Sequence, residues 1–153
     1  HDSSLHAKLV CKSRLYIVAS PDYLEQAGIP QTPQSLLQHQ LVGFSKPVYL
    51  NTWPLKIGDD YVIVSPKIKA SSGETVRQLT LAGHGIARLS EYEIWQDLEA
   101  GRLVALFEDQ IELQYQHIHA VYYQQKHLPK RVRLFIEFLA DELSQQFSTA
   151  VAS

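Results

Sequence analysis

The segment Ser71–Ser90, SSGETVRQLTLAGHGIARLS, constrains the fold more than any other stretch of this chain. It reads as a strand end, a capped helix, a glycine turn and a second strand. Ser71 or Ser72 supplies an N-cap, and Glu74 stands three residues after Ser71, which is capping-box spacing. Val76, Leu79 and Gly83 recur at helical intervals, so one face of the helix packs on a sheet. Gly83 and Gly85 stop the helix, and Ile86–Leu89 resumes as strand. A helix that opens just after a strand presents unpaired N–H groups and a positive partial charge. That end suits an anionic or polar ligand.

The same alternation runs along the chain. Leu5–Val10 and Leu15–Ala19 read as strands rich in branched residues. Ser20-Pro21 is an N-cap followed by proline at the first helical position, opening a helix that ends near Gly28. Thr32-Pro33 repeats the device for a short helix to about Gln38. Leu41–Phe44 reads as a buried strand. Trp53–Ile57 and Tyr61–Val64, split by Gly58-Asp59-Asp60, read as a hairpin. Lys67–Ala70 is a short strand. Glu91 to about Ala100 is helical, with Gly101 as its stop. Leu103–Phe107 and His117–Tyr123 are strands. The longest helix runs from Pro129 to about Phe147, with Val132, Phe135, Ile136, Leu139 and Leu143 on one stripe. Strands alternating with helices predict an α/β fold with a mostly parallel sheet.

Composition sets bounds on function. A chain of 153 residues, 45% hydrophobic, buries roughly two-thirds of its unfolded surface. No apolar run approaches the ~20 residues that span a bilayer, and no signal peptide is legible after His1. Cys11 is the single cysteine. An internal disulfide is therefore excluded, which favours a reducing cytoplasm. The net charge of −2 and the lack of a dense basic stripe predict poor nucleic-acid binding by this chain alone.

Four passages, in order, resemble the effector-binding domain of LysR-type transcriptional regulators. Ser13–Phe44 is similar to that family's entry into its second subdomain: a strand, then Ala19-Ser20-Pro21 and Tyr23-Leu24, then Gly28-Ile29-Pro30 and Thr32-Pro33, then a short strand. Ser71–Ser90 is similar to its capped helix and following strand. Asp97–Asp109 resembles its helix-to-strand segment around Gly101-Arg102-Leu103-Val104. His119–Leu143 resembles its closing strand and long helix. The run His127-Leu-Pro-Lys-Arg-Val132 departs from the family pattern, which has a serine before the proline.

The resemblance implies a periplasmic-binding-protein-like (type 2) α/β fold of two subdomains joined by crossing strands. Residues 20–115 are then a complete second subdomain. Residues 1–19 and 116–153 are a partial first one, whose remaining strands, and the DNA-reading helix-turn-helix before them, lie outside this chain. It implies an effector held between subdomains and no catalysis. It also implies DNA binding only through that helix-turn-helix, and self-association through residues 1–19 and 116–147, where open strand edges and apolar surface remain. A solute-binding protein of a transporter, which shares the fold, and a ligand-free oligomerisation module are the rivals.

Ligands in open α/β sheets bind where strand ends meet helix starts. Three such junctions are legible: Ala19-Ser20-Pro21, Gly43-Phe44-Ser45 and Ser71-Ser72-Gly73. Ser20, Gly43, Phe44, Ser45, Ser71, Ser72 and Gly73 are therefore the candidate effector residues, and Ser20, Phe44, Ser45 and Ser72 are expected to line one cleft. Ser20 and Ser72 also read simply as helix caps.

Other features read as structural. His117 and His119 share a strand face, and with His127 they raise a metal site, but no further ligand has metal-motif spacing. Lys126, Lys130, Arg131 and Arg133 read as a solvated face, as do Glu91, Glu93, Asp97 and Glu99. Gly83-His84-Gly85 lacks the third glycine of a dinucleotide loop. Cys11 has only Lys8, Lys12 and Arg14 nearby to activate it. No nucleophile elbow, HExxH or P-loop is present, so no cofactor, metal or catalytic residue is expected.

Overall fold

The computed structural model describes residues 5–123 and 128–147. The chain divides into two compact units: His1–Arg14 with Tyr115–Ser153, and Leu15–Gln114.

The larger unit is built on a sheet of order β5-β2-β6-β1-β7. Its strands are the second part of β1 (Leu5–Ala19), β2 (Leu41–Phe44), β5 (Ile68–Ala70), β6 (Ile86–Ser90) and β7 (Val104–Leu106). β2 lies parallel to β5 and β6. β1 runs antiparallel to both β6 and β7. The sheet is thus mixed, with one reversed strand inside it. A hairpin of β3 (Thr52–Ile57) and β4 (Asp60–Ile63) forms a separate two-stranded sheet.

Both faces of the main sheet are buried, as strand periodicity requires when layers cover each side. Ile17 and Ile86 enter one cluster with Leu36, Trp53 and Leu55. Val18, Val42 and Leu89 enter the other, with Val76 and Ile94. The helices that feed the two clusters are α1 (Pro21–Ala27, through Tyr23 and Leu24), α2 (Pro33–Leu36), α3 (Gly73–Leu81) and α4 (Glu91–Glu99).

The local signals act as their chemistry dictates. The Ser20 hydroxyl accepts the Tyr23 N–H at 3.2 Å, with Pro21 at the first helical position. Thr32 and Ser35 form a reciprocal capping box. α2 stops at Leu36 rather than Gln38, because the following turns close in a tighter pattern, Gln38 N–H to Ser35 and His39 N–H to Leu36. The cap of α3 is Ser72, whose hydroxyl accepts the Thr75 N–H. Glu74 makes no box with Ser71; it binds Arg77 and Gln78. Gly85 is required twice over: its φ is 151°, and a Cβ there would lie 2.4 Å from the Gln40 carbonyl oxygen.

In the smaller unit, Leu5–Arg14 pairs antiparallel with β8 (Tyr115–Tyr123), with a register shift between Leu9 and Cys11. β1 is therefore one strand where the sequence predicts two. Cys11, Ser13 and Leu15 alternate inward while Lys12 and Arg14 lie half-buried between them, so the polar residues that read as a break are one face of a continuous strand. The boundary between units falls at Arg14/Leu15 and Gln114/Tyr115, against 19/20 and 115/116 in the sequence reading. α5 (Lys130–Phe147) buries Ile136 and Phe147 and half-buries Val132, Leu139 and Leu143. Phe135 departs from its expected stripe and lies exposed, with Leu134 and Phe138.

Candidate functional site

The parallel strands β2, β5 and β6 end on one edge of the sheet, and that edge collects most of the candidate residues. Phe44 pairs with Ala70 across β2 and β5. The Ser45 N–H then donates to the Ala70 carbonyl at 2.9 Å, extending the ladder by one step. Gly43-Phe44-Ser45 and Ser71-Ser72-Gly73 are thus neighbours. Gly43 and Phe44 are buried, Gly73 is half-buried, and Ser45, Ser71 and Ser72 are exposed.

Ser20 does not join them. β1 is antiparallel to β6, and Leu15 pairs with Ser90 at the edge where β6 ends. Ser20, the residue after β1, lies five residues beyond Leu15, roughly 16 Å away at the rise of an extended strand. It lines a cavity of about 350 Å³ with Pro21, Asp22, Leu81, Gly101 and Arg102, at the far end of α3 from Ser72. The expectation of one cleft containing both serines is corrected: the reversed strand puts the Ser20 junction on the opposite edge.

The shared edge also holds residues that the sequence does not mark as part of a site. Asn51 is buried, accepts the Phe44 N–H at 2.9 Å and donates to the Phe44 carbonyl at 2.8 Å. Its side chain serves β2 as a substitute strand neighbour. Glu93 lies against Gly73 so closely that a Cβ on Gly73 would meet its carboxylate. Glu93 also accepts the Ser90 N–H at 3.2 Å. The Ser-x-x-Glu spacing of Ser90 and Glu93 is the legible signal for this contact. Burial pushes the Glu93 carboxyl above its usual range, against the lowering effect of the Ser90 N–H, Tyr92 and Arg88. Arg88 on β6 is 9% exposed. Burial also lowers its affinity for a proton, with Glu93 and Tyr49 acting the other way.

A second cluster ties α3 to α4. Asp97 is fully buried and takes Arg77 Nε at 2.6 Å, Arg77 Nη2 at 3.0 Å and Arg102 Nε at 2.9 Å. Burial alone raises its carboxyl, but the two guanidinium groups outweigh it and hold the group below its ordinary value. Glu93 and Asp97 are thus not the solvated helix charges that their spacing predicts. His117 and His119 meet edge to face with ring centroids 6.3 Å apart; Lys126 and His127 lie outside the described residues. Among the described residues no group of three side chains with metal-ligand chemistry converges.

Residues 1–144 match the family model described as the LysR substrate binding domain. The chain belongs to that family. The LysR chain is 42% identical over 144 residues to the HTH-type transcriptional regulator CrgA of Neisseria meningitidis, covering 93% of this chain and 48% of that protein. It is 34% identical over 137 residues to the HTH-type transcriptional activator TtdR of Escherichia coli, covering 88% and 44%. It therefore spans about half the length of the curated relatives it matches. The solved CrgA regulatory domain superposes with a TM-score of 0.85 at 39% identity, over 93% of this chain and 70% of that one. Full-length AphB, a virulence activator of Vibrio cholerae, gives 0.70 at 29% identity, over 93% and 49%. The fold is the periplasmic-binding-protein-like type 2 α/β arrangement of LysR regulatory domains. These relatives set the chain with transcriptional regulators rather than with transporter solute-binding proteins.

Proposed function

We propose that this chain is the effector-binding part of a LysR-type DNA-binding regulator and that it works without catalysis. The observation that carries the reading is the family match across 1–144, together with 42% identity to CrgA. The effector is a small anionic or polar molecule taken at the edge where β2, β5 and β6 end, around Phe44, Ser45, Ser71, Ser72 and Gly73. Ser20 is a helix cap and is left out of the site. Binding acts by population shift, so the effector prefers one of two arrangements of the regulator. DNA is held by a helix-turn-helix of the parent protein, in the cytoplasm. No helix among the described residues is long and apolar enough to cross a membrane.

Self-association is part of the same proposal. Val121, Tyr123, Leu134, Phe135 and Phe138 are exposed in the smaller unit, and exposed apolar side chains of this kind favour association.

The test is a thermal-shift screen of small polar and anionic metabolites against the chain, followed by calorimetry. A binder whose affinity falls with Ser72→Ala by about 1–2 kcal/mol, the scale of one hydrogen bond to a charged group, supports the site. Specific, salt-tolerant binding of duplex DNA by this chain alone overturns the division of labour.

A further inference from the structure

We infer that Arg88 receives the anionic group of the effector, and that this group is a carboxylate. The inference rests on the effector-binding reading above and deepens it.

Arg88 sits on β6, paired with Ile17 of β1, in the middle of the sheet. Its neighbours Ala87 and Leu89 join the apolar cluster on one face. Arg88 points to the other face and is 9% exposed. A guanidinium carries five N–H donors, and burying it without partners is costly. Here Nη1 makes one long hydrogen bond, 3.4 Å, to the Thr52 carbonyl. Nε is buried with no hydrogen-bond partner. The other arginines of this region are engaged: Arg77 with Asp97 and Glu74, Arg102 with Asp97.

The position of Arg88 relates it to the candidate edge twice. Thr52 follows Asn51, the residue that clamps Phe44. Glu93, whose charge acts on Arg88, is the group packed on Gly73 at the start of α3. Arg88 is thus tied to the first junction by its hydrogen bond to Thr52 and to the second through the charge of Glu93. A planar carboxylate satisfies a guanidinium through two parallel N–H bonds, one of them from Nε. Nε has no exposed surface, so engagement requires the guanidinium to turn from its present position.

The experiment follows the Arg88 Nε–H resonance in proton–nitrogen correlation spectra of the isotope-labelled chain. The probes are sodium benzoate, sodium acetate and sodium succinate, with benzamide as the neutral control. At least one carboxylate is expected to move that resonance downfield in a saturable way, together with the Ser72–Thr75 amides, while benzamide leaves it in place. Arg88→Gln is expected to weaken that carboxylate roughly ten- to hundredfold, the scale of a lost charge-assisted hydrogen bond. Should Arg88→Gln fail to fold, the resonance of the unaltered chain decides alone. Movement of the Ser72–Thr75 amides with Arg88 unmoved overturns the role of Arg88 and leaves the effector site standing. No saturable response to any of the three carboxylates at Arg88 also overturns it. If the metabolite screen then finds no binder of any class, the effector-binding reading falls separately.

Discussion

Asn51 and Phe44 exchange two hydrogen bonds, 2.9 Å from the Phe44 N–H to Asn51 Oδ1 and 2.8 Å from Asn51 Nδ2 back to the Phe44 carbonyl. One buried amide side chain thus completes the end of β2 at the place where the candidate edge begins. Asn51→Ala leaves a buried donor and a buried acceptor unmet. The expected loss is about 2–4 kcal/mol in urea denaturation. Asn51→Asp keeps the acceptor but sets an anionic oxygen against the Phe44 carbonyl. It should lose stability at neutral pH and recover part of it in acid.

Asp97 is predicted to lock α3 to α4. Asp97→Ala should cost about 2–3 kcal/mol, below the usual range for breaking a buried pair because both arginines retain access to water. Arg77→Ala should cost more than Arg102→Ala, since Arg102 is 52% exposed and Arg77 only 19%. Thermal or chemical denaturation of the three variants checks the order.

The buried Asp97 and the half-buried Glu93 have opposite signs in pH. Asp97 is held below its ordinary value of 3.8, so its stabilisation is complete above that pH and is lost as pH falls through the folded value. Glu93 is raised above its ordinary value of 4.5. It costs nothing in acid and becomes a penalty as pH rises through its folded value. Glu93→Gln should therefore remove a loss of stability above about pH 4.5, whereas Asp97→Asn should remove a gain that is complete above about pH 4. Stability profiles against pH separate the two.

Gly73 and Gly85 should differ in how their alanine variants are rescued. A Cβ at Gly73 meets the end of the Glu93 side chain, and one at Gly85 meets the Gln40 backbone at positive φ. Gly73→Ala should be mild and made milder still by Glu93→Ala in a double-mutant cycle. Gly85→Ala should cost more than about 2 kcal/mol, with no side-chain partner to relieve it.

Cys11 should be inert. It is 6% exposed, and burial pushes its thiol above the ordinary value of 9.0. Lys8, Lys12 and Arg14 do not reverse that. Alkylation of the native chain at pH 8 should be slow and should accelerate on addition of urea. Fast stoichiometric labelling without denaturant would contradict the assignment.

What was legible in the sequence is what depends on neighbours in the chain. Ser20-Pro21, Thr32-Pro33 and Gly83-His84-Gly85 start and stop elements through bonds reaching three or four residues, so their residue types suffice. The direction of β1 is not local. It depends on pairing Leu15 with Ser90, seventy-five residues on, and without that pairing Ser20 reads as a neighbour of Ser72. Arg88 and Asp97 escaped for a related reason. A charge in a strand or on a helix reads as exposed until the partner that allows its burial is known, and those partners lie on other elements. Arg88 did carry a signal, as the one charged residue in the otherwise uncharged stretch Ile86–Ser90.

Ile17 and Val18 are adjacent on β1, yet they enter different apolar clusters on opposite faces of the sheet. The two interiors of the larger unit are therefore coupled through the parity of a single strand. A slip of β1 by an odd number of residues against β6 and β7 exchanges the side chains delivered to each interior. Any shift of this register is restricted to even steps, and the two interiors evolve as one object.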